Sequence, residues 1–482
     1  MDNDYKKAMD FASKIQDGAI TKKAIELKGH YLDGLSLEKL TGMLSDHPSD
    51  AQVAQAVCDK IVQMPFKLQD RELLENLVSV FELDKTKYSV DDQLKTVKKD
   101  RYHIAVMLPF MLEELKTNPR RVSNEFVLEL YEGLLLGVSD LKSQGIDVKL
   151  HLYDTRRDSS YTAILAQLDE LKHMDMIVGP LYPGPVQVIT DFAFRNQINM
   201  INPLSNNSEI VANHPFAFLF NPSDEMAAKK LAAYTSNAVV NKNLMIFHGL
   251  TNRDSVTANA YKTEIESLGF KVNYMEGIDK DNGKKVLDIL TNTRTIEIEE
   301  SEVDQPLNQS NLQGNLRIGE MSFLTIKPDS IGHIFIASNE PSIIANAVTG
   351  LATRGDTIRI VGTEKWLEHR SISLEGLDRQ RAILAAPTFF YKEKPKYESL
   401  LTLCKETFMT YPTKNFFIGY ELMVTTGKLL KKHGTLFQYD PTYKQAIPGE
   451  ISGGVLYGDE NCNEIVPVAT FTLGDIILQK NR

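Results

Sequence analysis

The sequence has little cysteine, one tryptophan, no dense run of basic residues and no long apolar stretch. Each shortage excludes something. Cys58, Cys404 and Cys462 are far apart and odd in number, and no two have metal-ligand spacing, so a zinc site is not expected. At most one disulfide could form; three free or buried thiols is the simpler reading, and the redox compartment stays open. Without about 18 consecutive apolar residues, no helix is expected to span a bilayer. The first residues, MDNDYKKAMD, lack the apolar core of a signal peptide, so the chain is expected either to stay in the cytoplasm or to be a trimmed mature form. Lys plus Arg is 54 against 64 Asp plus Glu, a net charge of −10. Such a chain neutralises phosphate poorly, so neither nucleic acid nor an anionic membrane surface is an expected partner. The ten histidines show no paired metal spacing. There is no Gly-x-Ser-x-Gly elbow and no phosphate loop ending in Gly-Lys. The sequence therefore leads us to expect no catalytic residue, no metal and no cofactor. His248, at a strand end, reads as a structural histidine.

What is present is ordinary globular composition, 42% hydrophobic and 24% charged over 482 residues, enough for roughly three domains. Residues 1–97 read as helices alone. Apolar residues recur at helical spacing in Ala8, Met9, Phe11, Ala12 and Ile15, then Leu37, Leu40 and Leu44, then Val53, Ala54, Val57 and Ile61, then Leu73, Leu74, Leu77 and Phe81. Breaks fall at Asp17-Gly18, Asp33-Gly34 and His47-Pro48-Ser49-Asp50. Short helices with tight joints fit antiparallel hairpins of the tetratricopeptide sort; with no clean repeated period, a small helical cap is the other reading.

From Tyr102 the texture changes to strands alternating with helices, which implies crossover connections and parallel sheets. Strands are expected at 103–109, 148–154, 176–180 and 198–203, with a first long helix at 126–144. A second series runs from Pro222 through strands at 244–248, 271–274, 333–337, 358–362 and 383–386. Residues 294–322, acidic and then rich in Gln, Asn and Gly, read as a solvated surface insertion. Two long helices, 395–409 and 417–432, and strands at 454–457 and 466–472 end the chain. The fold class is thus α/β: two doubly wound parallel-sheet lobes behind a small all-α domain. The expected division is 1–97 helical, 102–221 lobe 1, 222–386 lobe 2, 387–440 lobe 1 again and 441–482 lobe 2 again, with crossings near Asn221-Pro222, near Pro387 and around 440–450. A cleft between such lobes collects strand carboxyl ends and helix amino ends, where ligands bind.

Several motifs in this order carry a resemblance. They are Tyr131-x-Gly133-x-x-x-Gly137 on a helix, Tyr153-Asp154-Thr155 at a strand end, and Ile177-Val178-Gly179-Pro180-Leu181. Then come Asn202-Pro203-Leu204-Ser205-Asn206-Asn207-Ser208-Glu209, Val361-Gly362-Thr363-Glu364-Lys365-Trp366 and Gly419-Tyr420-Glu421. Over about 380 residues the chain resembles the type I periplasmic binding-protein fold, in the leucine/branched-chain amino-acid receptor family. The order of domains, helical then this fold, also resembles the outer-membrane lipoprotein activators of penicillin-binding proteins.

The resemblance implies where a ligand would sit. Ser205 and Asn206 lie where the family's carboxylate-binding residues lie, Glu364 matches the family's acidic ammonium ligand, Tyr182 follows the Gly-Pro loop, and Asn339 occupies a cleft-facing loop. Each has a plainer role. Ser205, Asn206 and Asn207 suit helix capping, Glu364 suits an exposed helix start, Tyr182 suits a lid contact, and Trp366 suits packing of its own turn. Leu204 stands where relatives often carry Gly, which crowds a carboxylate's approach to the backbone. The resemblance implies a solute-binding protein of the cell envelope, closing on an amino-acid-like ligand for an ABC-type importer or a sensor. Its partners would be that small molecule and a membrane permease or envelope protein, and its location periplasmic or anchored to the outer membrane. The alternative is an envelope interaction protein or regulator of peptidoglycan synthesis, with the fold as scaffold.

Overall fold

A computed structural model describes residues 18–64, 68–88, 94–113, 124–212, 214–291 and 326–479. The apolar spacing at 8–15 and the acidic segment 294–322 lie outside these residues.

The amino-terminal part is helical: α1 Gly18–Asp33, α2 Leu37–Asp46, α3 Ala51–Gln63, α4 Arg71–Val80 and the short α5 Lys85–Tyr88. Side chains stop the helices from unwinding at their starts. Ser36, Asp50 and Asp70 each accept a first-turn backbone N–H of α2, α3 and α4. The buried stripe of Leu40, Val53, Val57, Ile61, Leu74 and Leu77 forms one core. The starts of α2 and α4 are 34 residues apart (71 − 37), close to the tetratricopeptide period of about 34. This unit sits against lobe 1: α5 contacts a lobe-1 helix, and the linker carbonyl of Val97 accepts the Thr435 N–H at 3.0 Å.

Lobe 1 is a five-stranded parallel sheet in the order β2-β1-β3-β4-β5. Its strands are β1 Arg101–Leu108, β2 Asp147–Asp154, β3 Met176–Val178, β4 Met200–Asn202 and β5 Ala217–Leu219. The connecting helices are α6 Glu125–Ser143, α7 Ser159–Leu165, α8 Pro183–Asn196 and α9 Glu209–Ala212. Lobe 2 is a seven-stranded sheet in the order β12-β11-β10-β9-β8-β6-β7. It holds β6 Asn243–Gly249, β7 Lys271–Ile278, β8 His333–Ala337, β9 Arg359–Thr363 and β10 Ile383–Ala385, all parallel, with antiparallel β11 Val468–Thr472 and β12 Asp475–Gln479 at the edge. Its helices are α10 Asp224–Ala238, α11 Asn252–Ser267, α12 Lys284–Thr291, α13 Pro341–Arg354 and α14 Leu374–Arg379. The long helices α15 Pro395–Phe408 and α16 Lys414–His433 return to lobe 1, where Leu422, Met423 and Leu430 join the β1 core.

The glycines of α6 and α16 allow that return. A Cβ on Gly133 would fall against the Phe416 carbonyl and 2.7 Å from the Tyr420 nitrogen, and one on Gly419 would strike the Leu130 backbone. The two helices therefore touch main chain to main chain.

The chain crosses between lobes at Asn221-Pro222, at Ala386-Pro387 and at Val466-Pro467. The third crossing corrects the expected one at 440–450. Ile447, Val455 and Tyr457 pack with Phe218 and Phe437 in lobe 1, and Cys462 pairs beside Leu219 of β5. Lobe 2 is rejoined only at Val466 and Val468. The expected strand at 454–457 is likewise a set of isolated bridges, Ile447 to Val455 and Tyr457 to Asn463. The three crossings surround one small cavity of about 20 Å³ lined by Asn221, Pro387 and Pro467 among others, and the Ala386 N–H donates to the Pro467 carbonyl at 2.8 Å.

Candidate functional site

A cavity of about 410 Å³ lies between the lobes. Lobe 1 supplies Leu204, Asn206, Lys414, Asn415 and Ile418; lobe 2 supplies Asp224, Asn339, Thr363, Glu364, Lys365 and Glu368; Pro222, Pro387 and Thr388 come from the crossings. Strand ends deliver most of these groups. β4 runs into the loop 203–208, β8 into Asn339, β9 into Glu364 and β10 into Thr388.

The loop after β4 is shaped by Asn202. Its side chain is fully buried, donates to the Pro180 carbonyl at 2.7 Å and accepts the N–H groups of Leu204 and Ser205 at 3.1 and 2.8 Å. Ser205 then spends its hydroxyl locally, accepting the Asn207 N–H at 3.1 Å. It does not line the cavity; its neighbours Leu204 and Asn206 do. Asn206 reaches the cavity with its amide committed, because Nδ2 donates to Asp224 at 2.7 Å. Asp224 also accepts from Arg253 at 2.8 Å.

Glu364 opens the short 3-10 turn Glu364–Glu368 after β9. It is not an exposed helix-start carboxylate: only 5% of it is accessible. Its carboxylate accepts the Thr388 N–H at 3.1 and 3.3 Å and the Thr388 hydroxyl at 2.5 Å. Burial raises its pKa, opposed by those hydrogen bonds and by Lys414. Next to it, Trp366 is fully buried and donates Nε1–H to the Ser338 carbonyl at 3.0 Å. Its ring occupies the space a Cβ at position 362 would need, so Gly362 and Trp366 form one packed turn.

Asn339 lines the cavity and accepts the Thr363 hydroxyl at 2.8 Å. Lys365 also lines it; burial and the neighbouring Arg253 lower its pKa, and Asp224 opposes them. Lys414 spans the cleft to pair with Glu368 at 3.2 Å. Tyr182 lies elsewhere. It stands at the amino end of α8 without a side-chain capping bond, its ring carries the Arg157 guanidinium at 4.8 Å, and it is not on the cavity wall. Of the five residues expected from sequence, Asn206, Asn339 and Glu364 share the cavity. Lys365, Asp224, Thr388 and Lys414 were not among them. Lys365 lay inside the Gly362-to-Trp366 motif and carries a charge, a signal that could have been used. Thr388 had none beyond its place after a crossing. No group of three metal-ligating side chains occurs among the described residues, and no helix there is long and apolar enough to cross a membrane.

The arrangement of two doubly wound lobes, three crossings and an interlobe cavity is the type I periplasmic binding-protein fold, here behind a helical domain. Solved structures agree. A Rhodospirillum rubrum protein assigned as a branched-chain amino acid ABC transporter aligns with a TM-score of 0.57 at 13% identity, over 79% of this chain and 100% of that one. An ABC transporter substrate-binding protein from Desulfitobacterium hafniense gives 0.51 at 15%, over 79% and 100%. LpoA from Haemophilus influenzae gives 0.52 at 15%, and the match takes in 99% of this chain, its helical domain included, and 77% of LpoA. At these identities the likeness shows the fold alone. No family model matches the sequence, and no curated protein matches it.

Proposed function

We propose that this chain is an extracytoplasmic solute-binding protein that closes its lobes on a small polar ligand, an amino acid or a related molecule, for an ABC-type importer or a sensor. The observation that carries the reading is the cavity of about 410 Å³ walled by both lobes, within the range of about 300–1,000 Å³ in which small ligands bind. Its wall joins an apolar surface (Leu204, Ala227, Ile418) to a few polar groups (Asn206, Asn339, Glu364, Lys365), the mixture that orients a small molecule. A chemical step is not part of the proposal. The test is thermal unfolding of the full chain against a panel of amino acids, organic acids and sugars. A ligand at a hundred times its Kd adds about 2.7 kcal/mol, a readily measured rise in Tm.

A second reading has its own support. The likeness to LpoA runs through the helical domain as well as the lobes. That favours an envelope interaction protein which keeps the cleft as scaffold. If no solute in the panel raises the Tm, the solute-binding reading fails and this one takes its place.

A further inference from the structure

The charges around the cleft support a narrower reading, which rests on the solute-binding proposal. We infer that the cleft selects a small organic carboxylate with an apolar body and no ammonium group, and that Lys365 is the counter-ion of that carboxylate.

Every carboxylate on the cavity wall is already engaged. Asp224 holds Arg253 and Asn206, Glu364 accepts both donors of Thr388, and Glu368 pairs with Lys414. An incoming ammonium would have to displace one of them. The cations divide differently. Arg253 and Lys414 are the partners just named, whereas Lys365 makes no hydrogen bond or ion pair with any described residue. Half-buried beside Arg253, its ammonium is held in a place that disfavours its charge. An anion in the cavity would relieve this, through a charge-assisted contact. Asn339 adds to the same wall: its oxygen is taken by Thr363, which leaves its amide N–H groups as the part with open capacity.

The other faces of the cavity set the rest of the molecule. Leu204, Pro222, Ala227, Ala385, Pro387 and Ile418 offer an apolar wall. The amide nitrogens of Asn206 and Asn415 donate to Asp224 and Glu129, and their side-chain oxygens accept from no described residue; they suit a hydroxyl. A second negative charge would meet Glu364, Glu368 and Asp224, which weighs against phosphate. This reverses the arrangement expected from the sequence, in which lobe 1 held the carboxylate and Glu364 the ammonium.

Leucine and hydroxyisocaproate make a clean pair of probes, because they share carboxylate and isobutyl body and differ only in ammonium against hydroxyl. The experiment is titration calorimetry of the full chain with both and with inorganic phosphate, on the unaltered protein, Lys365→Met and Lys365→Arg. The expected result is hydroxyisocaproate binding about tenfold or more tighter than leucine. Lys365→Met should weaken it by about tenfold or more, and Lys365→Arg should retain most of the affinity. An unchanged Tm of unliganded Lys365→Met would show that the fold is intact. Leucine binding as tightly as the hydroxy acid, no effect of Lys365→Met, or phosphate binding in preference overturns the inference. Binding of none of the three overturns it too. In that event a Tm rise with any other solute of the broad panel would leave the solute-binding proposal standing.

Discussion

The contact between α6 and α16 gives a sharp mechanical test. Consider Gly133→Ala. The added methyl would meet the Phe416 carbonyl and the Tyr420 nitrogen, both main-chain atoms that cannot swing aside. The helices must part, on the order of 1 Å, to restore ordinary contact. Parting by that much forfeits a quarter to a half of the dispersion energy along the seam. The seam holds Leu130, Leu134, Tyr420, Met423 and Val424, all fully buried. Overpacking of this kind costs about 1–3 kcal/mol, at the upper end when backbone is the obstacle. Alanine regains about 1 kcal/mol of helix propensity, so the net loss is about 2 kcal/mol. Gly42→Ala in α2, where a Cβ meets nothing within 4 Å, shows the propensity gain alone and should stabilise by up to about 1 kcal/mol. Gly419→Ala clashes with Leu130 across the same crossing and should cost as much as Gly133→Ala. The double variant should cost less than the sum, since the helices need part only once. Urea unfolding followed by circular dichroism measures all four. A neutral or stabilising Gly133→Ala, or strict additivity of the pair, would refute the main-chain contact.

Three other outcomes are expected. Burial raises the pKa of Glu364 above its ordinary 4.5, so the carboxyl favours folding while protonated and loses that contribution as pH rises through its folded value; Glu364→Gln should therefore raise stability at neutral pH, with the gain closing below about pH 4.5, as seen in denaturation midpoints against pH. His333, buried against Tyr261, has its pKa pushed down from 6.5 to about 3, so below pH 6.5 the unfolded chain binds a proton that the folded chain refuses. Stability should fall by about 1.4 kcal/mol per pH unit well inside that window, and His333→Leu should flatten the slope between about pH 6 and 4. The single tryptophan, Trp366, is fully buried beside Glu364 and Lys365; its fluorescence should resist iodide quenching and change when a cleft ligand binds, and ready quenching would contradict its packing.

Much of this architecture could be read from the chain. The strand at 103–109 and the helix holding Gly133 and Gly137 stand out because burial imposes different periods on sheets and helices. The third crossing could not be read. Residues 454–457, Gly-Val-Leu-Tyr, form a short apolar run like a buried strand, but such a run does not say which lobe receives it, and Tyr457 stacks on Phe437 through contacts distant in sequence. The spacing of the helical domain was hidden for a related reason: it lies in where α2 and α4 begin, at 37 and 71, while the apolar residues follow each helix's own packing. In the cleft, residue types were legible and commitments were not. Ser205 and Asn206 have the right chemistry for a carboxylate, yet Asn202 turns the loop so that one serves Asn207 and the other serves Asp224.

The three crossings bear on how far the lobes can travel. Each carries a proline, Pro222, Pro387 or Pro467, whose ring fixes one of the two soft torsions at that residue, and two of them are stitched by a hydrogen bond. Such a joint should act as a strip hinge, bending about one axis and resisting sliding and twisting. If the lobes close on a ligand as proposed, main-chain stiffness would set the stroke, and with it the largest body the lobes could enclose. An upper limit on ligand size would belong to the joint, so replacing Pro467, the hinge proline that does not line the cavity, should loosen that limit while every side chain on the wall stays in place.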